Sequence, residues 1–302
     1  MLDLISIGGI CIDLFFRGEK IPHDNTNFNL KIGDKYATDY FYEGVGGSGV
    51  NVGAAAVQGG LSAAVLGFVG DNPFKEILLT RISQLNISSE YVQIKDTYLN
   101  ISSIFLTESG ERTIVNYKPT HDSLYSAQFD PSSLLSAQAF YLGNLPDVPV
   151  PERATLLTYL KKHGKFIFFN LGSKDCDRAH EELEKLLEPV DVVILNRHEF
   201  GMLAQKTPET VDLEKSVFHI APVLAGKKVI VTDSNKGSYG YEQDQVLYQP
   251  SIEPALIVDT TGAGDGYTGA FIASYIRTND LKDAMEKGAR YAGKVIGRVG
   301  AN

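Results

Sequence analysis

Almost continuously apolar runs recur along the chain, separated by segments whose apolar residues follow a helical period. The runs are LDLISIGG (2–9), AAVLGFVG (63–70), QAFYLGN (138–144), KFIFFN (165–170), DVVILN (191–196) and KKVIVTD (227–233). Runs of this length without polar alternation are typical of strands that are buried on both faces, as in a parallel sheet. They predict the strands of one central sheet.

Segments of helical periodicity fill the intervals between these strands. They are VNVGAAAVQ (50–58), NPFKEILLTRISQL (72–85), PERATLLTYLKKHG (151–164), DRAHEELEKLLE (177–188) and VDLEKSVFHIAPVLAG (211–226). Pro73 and Pro151 stand where a first helical turn tolerates proline, and Gly164 and Gly226 stand where a helix ends. Two more helices, GAGDGYTGAFIASYIRT and LKDAMEKGARYAGKVIGRV, follow from residue 262. The alternation predicts an α/β fold with a doubly wound, mostly parallel central sheet flanked by helices.

Two regions, about 13–42 and 98–118, lack a helical period. Residues 98–118 read as two alternating strands around ESGER, whose glycine suits a hairpin turn. Residues 13–42 contain strand-like DLFF and YATDYFY around a polar loop. We expect both regions to form a small β-strand lid outside the central sheet, with an edge hairpin and a surface loop as the alternative. No linker divides the chain, so we expect residues 1–302 to form one domain.

Composition and charge exclude several classes of partner. The chain has 302 residues and a formal net charge of -9, which argues against a nucleic acid or an anionic membrane surface as partner. No apolar run approaches the ~18 residues of a membrane-spanning helix, and the opening MLDLISIGGI lacks the basic region of a signal peptide. Cys11 and Cys176 have no CxxC spacing, which favours a reducing cytoplasm over a disulfide scaffold.

GVGGSG (44–49) satisfies the GxGxxG pattern of dinucleotide-binding proteins. It follows a strand-like segment, opens a helix-like one, and is followed about 20 residues later by Asp71, where a ribose-binding acid is expected. The fingerprint normally belongs to the first strand–turn–helix unit of a fold. Here an earlier strand and the expected lid precede it, so an NAD-binding protein is a remote alternative.

DTTGAGDGYTGAF (259–271) places an acid directly after a glycine-rich turn at the start of a predicted helix. Backbone N–H groups in a first helical turn have no intrahelical partner, and the helix dipole adds partial positive charge. Gly262 and Gly264 let an anion approach those amides, which suits a phosphoryl group. Asp265 is then placed to accept a proton from an attacking hydroxyl. The alternative is an acid that only stabilises the helix dipole.

Four motifs occur in an order that resembles the ribokinase-like (PfkB) carbohydrate kinase family. They are EGVGGSGVNVGAAAVQGG (43–60), NRHE (196–199), VTDSNKG (231–237) and DTTGAGD (259–265). The resemblance runs from IGGICID to VGAN, essentially the whole chain. It implies a ribokinase-like fold, ATP as phosphoryl donor and Mg²⁺ as cofactor. The chain contains no Walker A sequence, so amides and Mg²⁺ would hold the phosphates, in agreement with this family.

The resemblance also implies a role for each matching residue. Asp265 is the implied general base, and the amides of Gly262, Ala263, Gly264 and Asp265 form the anion hole. The implied sugar-binding residues are Asp13, Gly46, Gly47, Ser48 and Asn51. The nucleotide-binding residues are Asn196, Thr232, Ser234, Lys236 and Gly237. Glu199 and Asn196 organise Mg²⁺, largely through water. A monovalent cation such as K⁺ has candidate ligands in Asp259, Thr261 and the carbonyls of Arg298 and Gly300.

Other functions for several of these residues stay open. Asp13 could be a turn residue, Asn51 an early-helix capping group, and Asn196 with Glu199 a capping pair for the next helix. A phosphorylated sugar would need a basic clamp, for which Arg112, Lys174 and Arg178 are the candidates. Ser48 stands where members that prefer pentoses often carry lysine, so ribose is not favoured.

We therefore expect an ATP-dependent sugar kinase that phosphorylates a hydroxymethyl group of a monosaccharide. A nucleoside kinase on the same fold is the first alternative, because FNL followed by small polar residues also occurs in such members. A non-catalytic sugar sensor is the second. Exposed edges of the lid strands invite pairing with another subunit, which predicts a homodimer through the lid.

Overall fold

All six apolar runs form strands of one sheet in the computed structural model, which describes residues 2–24, 26–120, 122–243, 245–252, 254 and 256–302. The strands are β1 (Leu2–Ile7), β2 (Cys11–Arg17), β3 (Tyr40–Gly46), β4 (Ala63–Gly70), β5 (Val92–Lys95), β6 (Ile101–Leu106), β7 (Arg112–Tyr117), β8 (Ala137–Leu142), β9 (Phe166–Asn170), β10 (Val192–Asn196), β11 (Lys228–Thr232), β12 (Ser238–Glu242) and β13 (Gln245–Gln249). The helices are α1 (Ser48–Gln58), α2 (Lys75–Gln84), α3 (Val150–Lys162), α4 (Ser173–Cys176), α5 (His180–Leu187), α6 (Arg197–Leu203), α7 (Ala263–Thr278) and α8 (Leu281–Ile296).

The central sheet has nine strands in the order β13-β12-β11-β10-β9-β8-β1-β4-β5. Its pairs are parallel except for β11–β12 and β12–β13, which are antiparallel at one edge. The prediction of a mostly parallel, doubly wound sheet is confirmed. Because the carboxyl ends of parallel strands meet at one edge, the residues that follow β1, β8, β10 and β11 lie along the same side of the molecule.

The strands are continuously apolar because helices cover both faces of the sheet. On β1, Leu4 packs into the cluster with α1, α7 and α8, whereas the next residue, Ile5, packs into the cluster with α3 and α5. Phe168 and Phe169 of β9 divide between the two clusters in the same way. Successive side chains of a strand point to opposite faces, so a sheet buried on both sides needs an apolar residue at nearly every position.

A second sheet, the lid sheet, is formed by β3-β2-β6-β7. The antiparallel β6–β7 hairpin turns through residues 107–111, and β2 pairs with β3 antiparallel and with β6 parallel. Both regions that were predicted to form a lid therefore supply its strands. Asp13, Gly44, Ser102 and Asn116 are directly paired across the sheet, so they lie on one face.

The prediction of a helix over 211–226 was wrong. The region contains 3₁₀ turns at Val217–His219 and Pro222–Leu224, after another at Pro208–Thr210. Pro222 has no amide hydrogen to donate, and the preceding Ala221 has a non-helical backbone (φ -128°, ψ 78°). Val217 and Leu224 are nevertheless buried, so the apolar pattern reflected burial of an irregular segment. Strands β5, β12 and β13 and helices α4 and α6 were not predicted.

The glycines of the GxGxxG match do not form a dinucleotide-binding unit. Gly44 and Gly46 lie in β3, a strand of the lid sheet, so no parallel βαβ unit surrounds them. The side chain of Asp71 pairs with Lys75. Among the described residues, no helix is long and apolar enough to cross a lipid bilayer.

Candidate active site

The first turn of α7 carries backbone amides that are not used by the fold. Gly262 precedes the helix in a left-handed conformation (φ 74°), and a Cβ on it would lie 2.2 Å from Cβ of Ala301. Within the described residues, the N–H groups of Gly264 and Asp265 donate to no backbone carbonyl, whereas that of Ala263 makes a long 3.4 Å contact with Thr260. A Cβ on Gly264 would meet open space. This turn is therefore available to an anion.

Asp265 is partly buried in the same turn and is hydrogen-bonded to α1. Nδ2 of Asn51 donates to its Oδ2 at 2.9 Å. Burial raises the pKa of Asp265, the Asn51 hydrogen bond lowers it, and the nearby Asp13 raises it further. The early-helix residue Asn51 therefore holds the acid of α7 rather than capping its own helix. The two helices can approach because Gly269 of α7 faces the backbone of α1.

Asn302 is the third member of this group, and the sequence analysis missed it. Its Nδ2 donates to Oδ1 of Asn51 at 3.0 Å and to the carbonyl oxygen of Val45 at 2.8 Å. Asn302 lies 251 residues from Asn51 and 257 from Val45. A single sequence carries no signal for such a contact. The neighbouring Ala301 packs against Gly262, which brings this segment over the first turn of α7.

Asp13 faces this group from the lid sheet. The Cys11 thiol donates to Oδ1 of Asp13 at 3.1 Å, and a Cβ on Gly46 would lie 2.0 Å from Oδ2. The glycine is thus needed for the carboxyl group to lie across β3. Burial raises the pKa of Asp13, and hydrogen bonds from Cys11 and Ser102 lower it. Asp13 is a strand residue on the face that contains Ser102 and Asn116, not a turn residue.

Gly47 and Ser48 connect β3 to α1. Gly47 has a positive φ of 92°, and a Cβ there would lie 2.3 Å from the carbonyl oxygen of Gly9. The Ser48 hydroxyl packs between the backbones of Gly8 and Gly143, the residues that follow β1 and β8. Among the predicted sugar-binding residues, Asn51 and Asp13 therefore lie beside Asp265, and Gly46 lies against the Asp13 carboxyl group. Gly47 and Ser48 support the turn beside them.

A cavity of about 310 Å³ lies on the other side of the α7 turn. Thr232, Ser234 and Gly237 line it together with Ala263 and Gly264. The structure therefore joins three of the predicted nucleotide-binding residues to the predicted anion hole. Lys236 and Asn196 are not among its lining residues. Further apolar lining residues that the sequence analysis missed are Ile252, Ile257, Ala289, Ala292 and Ile296.

Asn196 and Glu199 form the capping box that was one of their two predicted functions. Oδ1 of Asn196 accepts from the Glu199 amide at 2.9 Å, and Oε2 of Glu199 accepts from the Asn196 amide at 2.8 Å. Burial raises the pKa of Glu199 to about 7, although both hydrogen bonds lower it. The capping box uses one carboxylate oxygen and leaves Oε1 outside it. Among the described residues, no group of three or more His, Cys, Asp or Glu side chains is arranged to hold a metal.

The candidate ligands for a monovalent cation are brought together beside α7. Asp259 is fully buried, and its carboxylate accepts from the amides of Thr261 at 2.8 Å and Gly300 at 3.0 Å. The Thr261 hydroxyl is buried without a hydrogen-bond partner in the described part of the chain. An unpaired buried oxygen beside a buried carboxylate is the type of ligand that a hard cation prefers. Arg298 donates to the carbonyl of Ala301 at 3.4 Å, so its segment lies alongside.

The tip of the β6–β7 hairpin contacts the segment that leads into α7. Arg112 donates to the hydroxyl of Thr260, and a Cβ on Gly110 would lie 2.9 Å from the Val258 carbonyl oxygen. The other two candidates for a basic clamp are engaged elsewhere. Lys174 pairs with Asp147 at 3.2 Å, and Arg178 pairs with the buried Asp175 at 2.7 Å.

Comparison with known proteins adds four findings to this geometry. The family model described as "pfkB family carbohydrate kinase" matches residues 1–302. A 5-dehydro-2-deoxygluconokinase of Geobacillus thermodenitrificans is 26% identical, over 98% of this chain and 87% of the relative. The adenosine kinase of Sinorhizobium meliloti is 25% identical, with a TM-score of 0.79 over 100% of this chain and 95% of that one. Arabidopsis thaliana ribokinase, solved with ribose and ATP, has a TM-score of 0.77 at 19% identity, over 99% and 94% of the two chains.

Proposed function

Because the chain belongs to the pfkB family of carbohydrate kinases, we propose that it transfers the γ-phosphoryl group of ATP to a hydroxymethyl group of a monosaccharide. The observation that carries this proposal is the first turn of α7. The backbone amides of Gly264 and Asp265 have no partner among the described residues. On one side of them lies the cavity lined by Thr232 and Gly237, and on the other side lie the carboxyl groups of Asp265 and Asp13. A phosphoryl donor and an acceptor alcohol would meet at this turn.

Each residue then has a role in the transfer. Asp265 accepts the proton of the acceptor hydroxyl while that oxygen forms its bond to the γ-phosphorus. The bond between the γ-phosphorus and the oxygen that bridges it to ADP breaks, and ADP takes the electron pair. The amides of Gly264 and Asp265 hold the charge on the transferred group. Asp13, Asn51 and Gly46 would hold the sugar hydroxyls, since a carboxylate and an amide can accept from and donate to a polyol.

Two cations fit the residues around the turn. Glu199 and Asn196 would hold Mg²⁺ through water, since Oε1 of Glu199 stays outside the capping box. When bound, Mg²⁺ neutralises phosphate charge. K⁺ fits beside Asp259, where the Thr261 hydroxyl lacks a partner in the described part of the chain. The carbonyls of Arg298 and Gly300 would complete that site.

The acceptor is a monosaccharide or a nucleoside. The name of the Geobacillus relative favours 5-dehydro-2-deoxygluconate, and the name of the Sinorhizobium neighbour favours adenosine. A nucleoside gains support from one residue, because the partly exposed Tyr42 lies on the same lid face as Asp13, with its ring 5.8 Å from that of the buried Phe15. A purine could pack on the Tyr42 ring. A sugar sensor is less favoured, since binding alone needs no base beside unused amides.

A screen for ADP release tests the proposal. Neutral monosaccharides, sugar acids including 5-dehydro-2-deoxygluconate, and nucleosides are each incubated with ATP and Mg²⁺. We expect one class to release ADP, and Asp265→Asn to reduce its turnover about 10²–10⁴-fold with binding retained. The matched binding measurement is the ligand-induced shift in melting temperature. Tight binding without ADP release above the Asp265→Asn background would identify a sensor and contradict the proposal.

We further propose that the chain is one domain, with its lid at about 13–42 and 98–118, and that it assembles as a homodimer through this lid. β3 and β7 are the edges of the lid sheet. Phe41, Val115 and Tyr117 are each more than half exposed on its outer face, opposite to Asp13. Such an edge and face are available to a second copy. We also propose a cytoplasmic location, because both cysteines are unpaired thiols.

A further inference from the structure

Two side-chain amides connect a lid strand to the acid of α7. The Val45 carbonyl of β3 accepts from Nδ2 of Asn302 at 2.8 Å, and the same nitrogen donates to Oδ1 of Asn51 at 3.0 Å. Nδ2 of Asn51 then donates to Oδ2 of Asp265 at 2.9 Å. We call the side chains of Asn302 and Asn51 the amide relay. It joins β3 and the start of α1 to Asp265 and Asn302, which both lie more than 200 residues further along the sequence.

The orientation of the relay is set at its lid end. A backbone carbonyl can only accept a hydrogen bond, so Asn302 must turn its nitrogen toward Val45. The second hydrogen of that nitrogen then meets Asn51, which must present its oxygen. Asn51 has only its nitrogen left to present to Asp265. An amide on its own can flip to exchange its oxygen and nitrogen, but a flipped Asn51 would bring two nitrogens together at Asn302 and two oxygens together at Asp265.

We propose that Asn302 is a positioning residue for phosphoryl transfer, because it fixes the Asn51 amide in the orientation that donates to the Asp265 carboxylate. The inference rests on the proposed function, in which Asp265 is the base. A donated N–H stabilises the ionised carboxylate and restrains its direction. Without Asn302, only the ionised Asp265 carboxylate keeps the Asn51 nitrogen turned toward it. When Asp265 is protonated, Asn51 can turn its oxygen to accept from the acid, which favours the protonated form.

The surroundings of Asn302 support this role. Oδ1 of Asn302 is buried without a partner in the described residues, so only the donor half of the side chain is used. Buried polar atoms are usually paired, and an apolar residue would avoid this unpaired oxygen if packing were the only requirement. The adjoining backbone has its own anchors, because Ala301 packs on Gly262 and the Gly300 amide donates to Asp259. Substitution of Asn302 should therefore leave the segment in place.

Other ionisable groups also face Asp265 and must stay constant in the test. Asp13 and Cys11 come from β2, and Tyr141 comes from β8. Asp13 raises the pKa of Asp265, as burial does, and the Asn51 hydrogen bond opposes both. Variants at Asn302 leave all three of these groups unchanged. Asn302→Leu adds no ionisable group, so a change in the titration of Asp265 in that variant would report the relay, whereas the new carboxylate of Asn302→Asp also raises the pKa of Asp265 by charge repulsion.

The experiment compares Asn302→Asp, Asn302→Leu and Asn302→Gln with the unsubstituted protein. Asp has the shape of Asn but cannot donate when ionised, Leu removes the amide, and Gln keeps it. The acceptor is the one found in the ADP-release screen. We expect Asn302→Asp and Asn302→Leu to lose about tenfold to a hundredfold in kcat with an unchanged KM for ATP, and Asn302→Gln to recover part of the loss. The acid limb of the kcat profile should move to higher pH, because a base with a raised pKa stays protonated to a higher pH.

A second readout does not depend on catalysis. Carboxyl ¹³C NMR of aspartate-labelled protein follows the titration of Asp265, whose signal is assigned as the one absent from Asp265→Asn. We expect its pKa to rise in Asn302→Asp and Asn302→Leu, with circular dichroism unchanged. Folded variants with an unshifted Asp265 signal and an unchanged kcat would overturn the proposal. If Asp265→Asn stays active while the NMR shift appears, the relay stands and the assignment of Asp265 as base fails.

Discussion

The side-chain carboxyl group of Glu199 has a pKa near neutrality in the folded protein. Burial raises that pKa to about 7 from an ordinary value of 4.5. The folded chain therefore binds a proton at Glu199 between about pH 4.5 and 7, where the unfolded chain has lost it. Glu199 then stabilises the fold most at low pH, and this contribution falls as the pH rises through 7.

This difference predicts a pH-dependent effect of Glu199→Gln. Glutamine keeps an oxygen that can accept from the Asn196 amide but does not titrate. We expect the free energy of unfolding of the wild type to fall, relative to that of the variant, by about 3 kcal/mol between pH 4.5 and 8. Urea titrations of both proteins at pH 5, 6, 7 and 8 measure the difference. Parallel curves would mean that Glu199 is ionised throughout.

Single residues were predictable where their chemistry is local. The glycines around Asp265 indicated uncommitted amides, and these are present at Gly264 and Asp265. Asn302 and Arg112 were not identified as neighbours of α7, because their partners are 148 to 257 residues away. Such contacts depend on how the lid and the segment after α8 pack against the start of α7, and local sequence patterns do not predict this packing.

At the scale of the element, two glycines at the start of α7 have different functions. Gly262 is needed by the fold, since it has a positive φ and touches Ala301. Gly264 has open space around it and lines the cavity. The same substitution at each position should therefore have different effects.

We expect Gly262→Ala to lower the free energy of unfolding by about 2 kcal/mol or more, through the strained backbone and the clash. Gly264→Ala should stay within about 1 kcal/mol of the wild type, but its methyl group should raise the KM for ATP. Thermal unfolding and steady-state kinetics of the pair provide the comparison. Equal destabilisation by both substitutions would contradict this division.

Strands could be predicted where both of their faces are buried, and helices could be predicted where their apolar residues follow the helical period. Six of the nine strands of the central sheet were found for this reason, whereas β5 at one edge and β12 and β13 at the antiparallel edge were missed. SYGYE and QVLYQ are short and contain glycine or polar residues, so they lack a continuous apolar run. In the region 211–226 a helix was predicted where none forms. The spacing of its buried apolar residues resembles that of a helix, but Pro222 is incompatible with a continuous helix there.

At the scale of the whole molecule, the outer face of the lid sheet predicts the oligomeric state. We expect a dimer at micromolar concentration and a monomer for Val115→Lys, because the lysine would place a charge in the proposed contact. Tyr248→Lys is the matched control, since Tyr248 is similarly exposed on β13 of the central sheet. Analytical ultracentrifugation distinguishes the two states. A monomeric wild type would remove the dimer.

Six strands of the central sheet, most of the long helices and the two lid regions could be predicted, because each follows from local periodicity. The way in which the lid meets the central sheet could not. It depends on contacts such as Gly110 with Val258, in which neither residue carries a recognisable signal.

The hairpin tip that rests on Val258 and Thr260 also has a kinetic consequence. If the acceptor of the proposed reaction enters beneath the lid, the hydrogen bond from Arg112 to Thr260 must break before the acceptor binds and again before the product leaves. Every catalytic cycle would then break and re-form this hydrogen bond. The rate at which the hydrogen bond breaks would therefore be an upper limit on kcat, however fast the chemical step becomes.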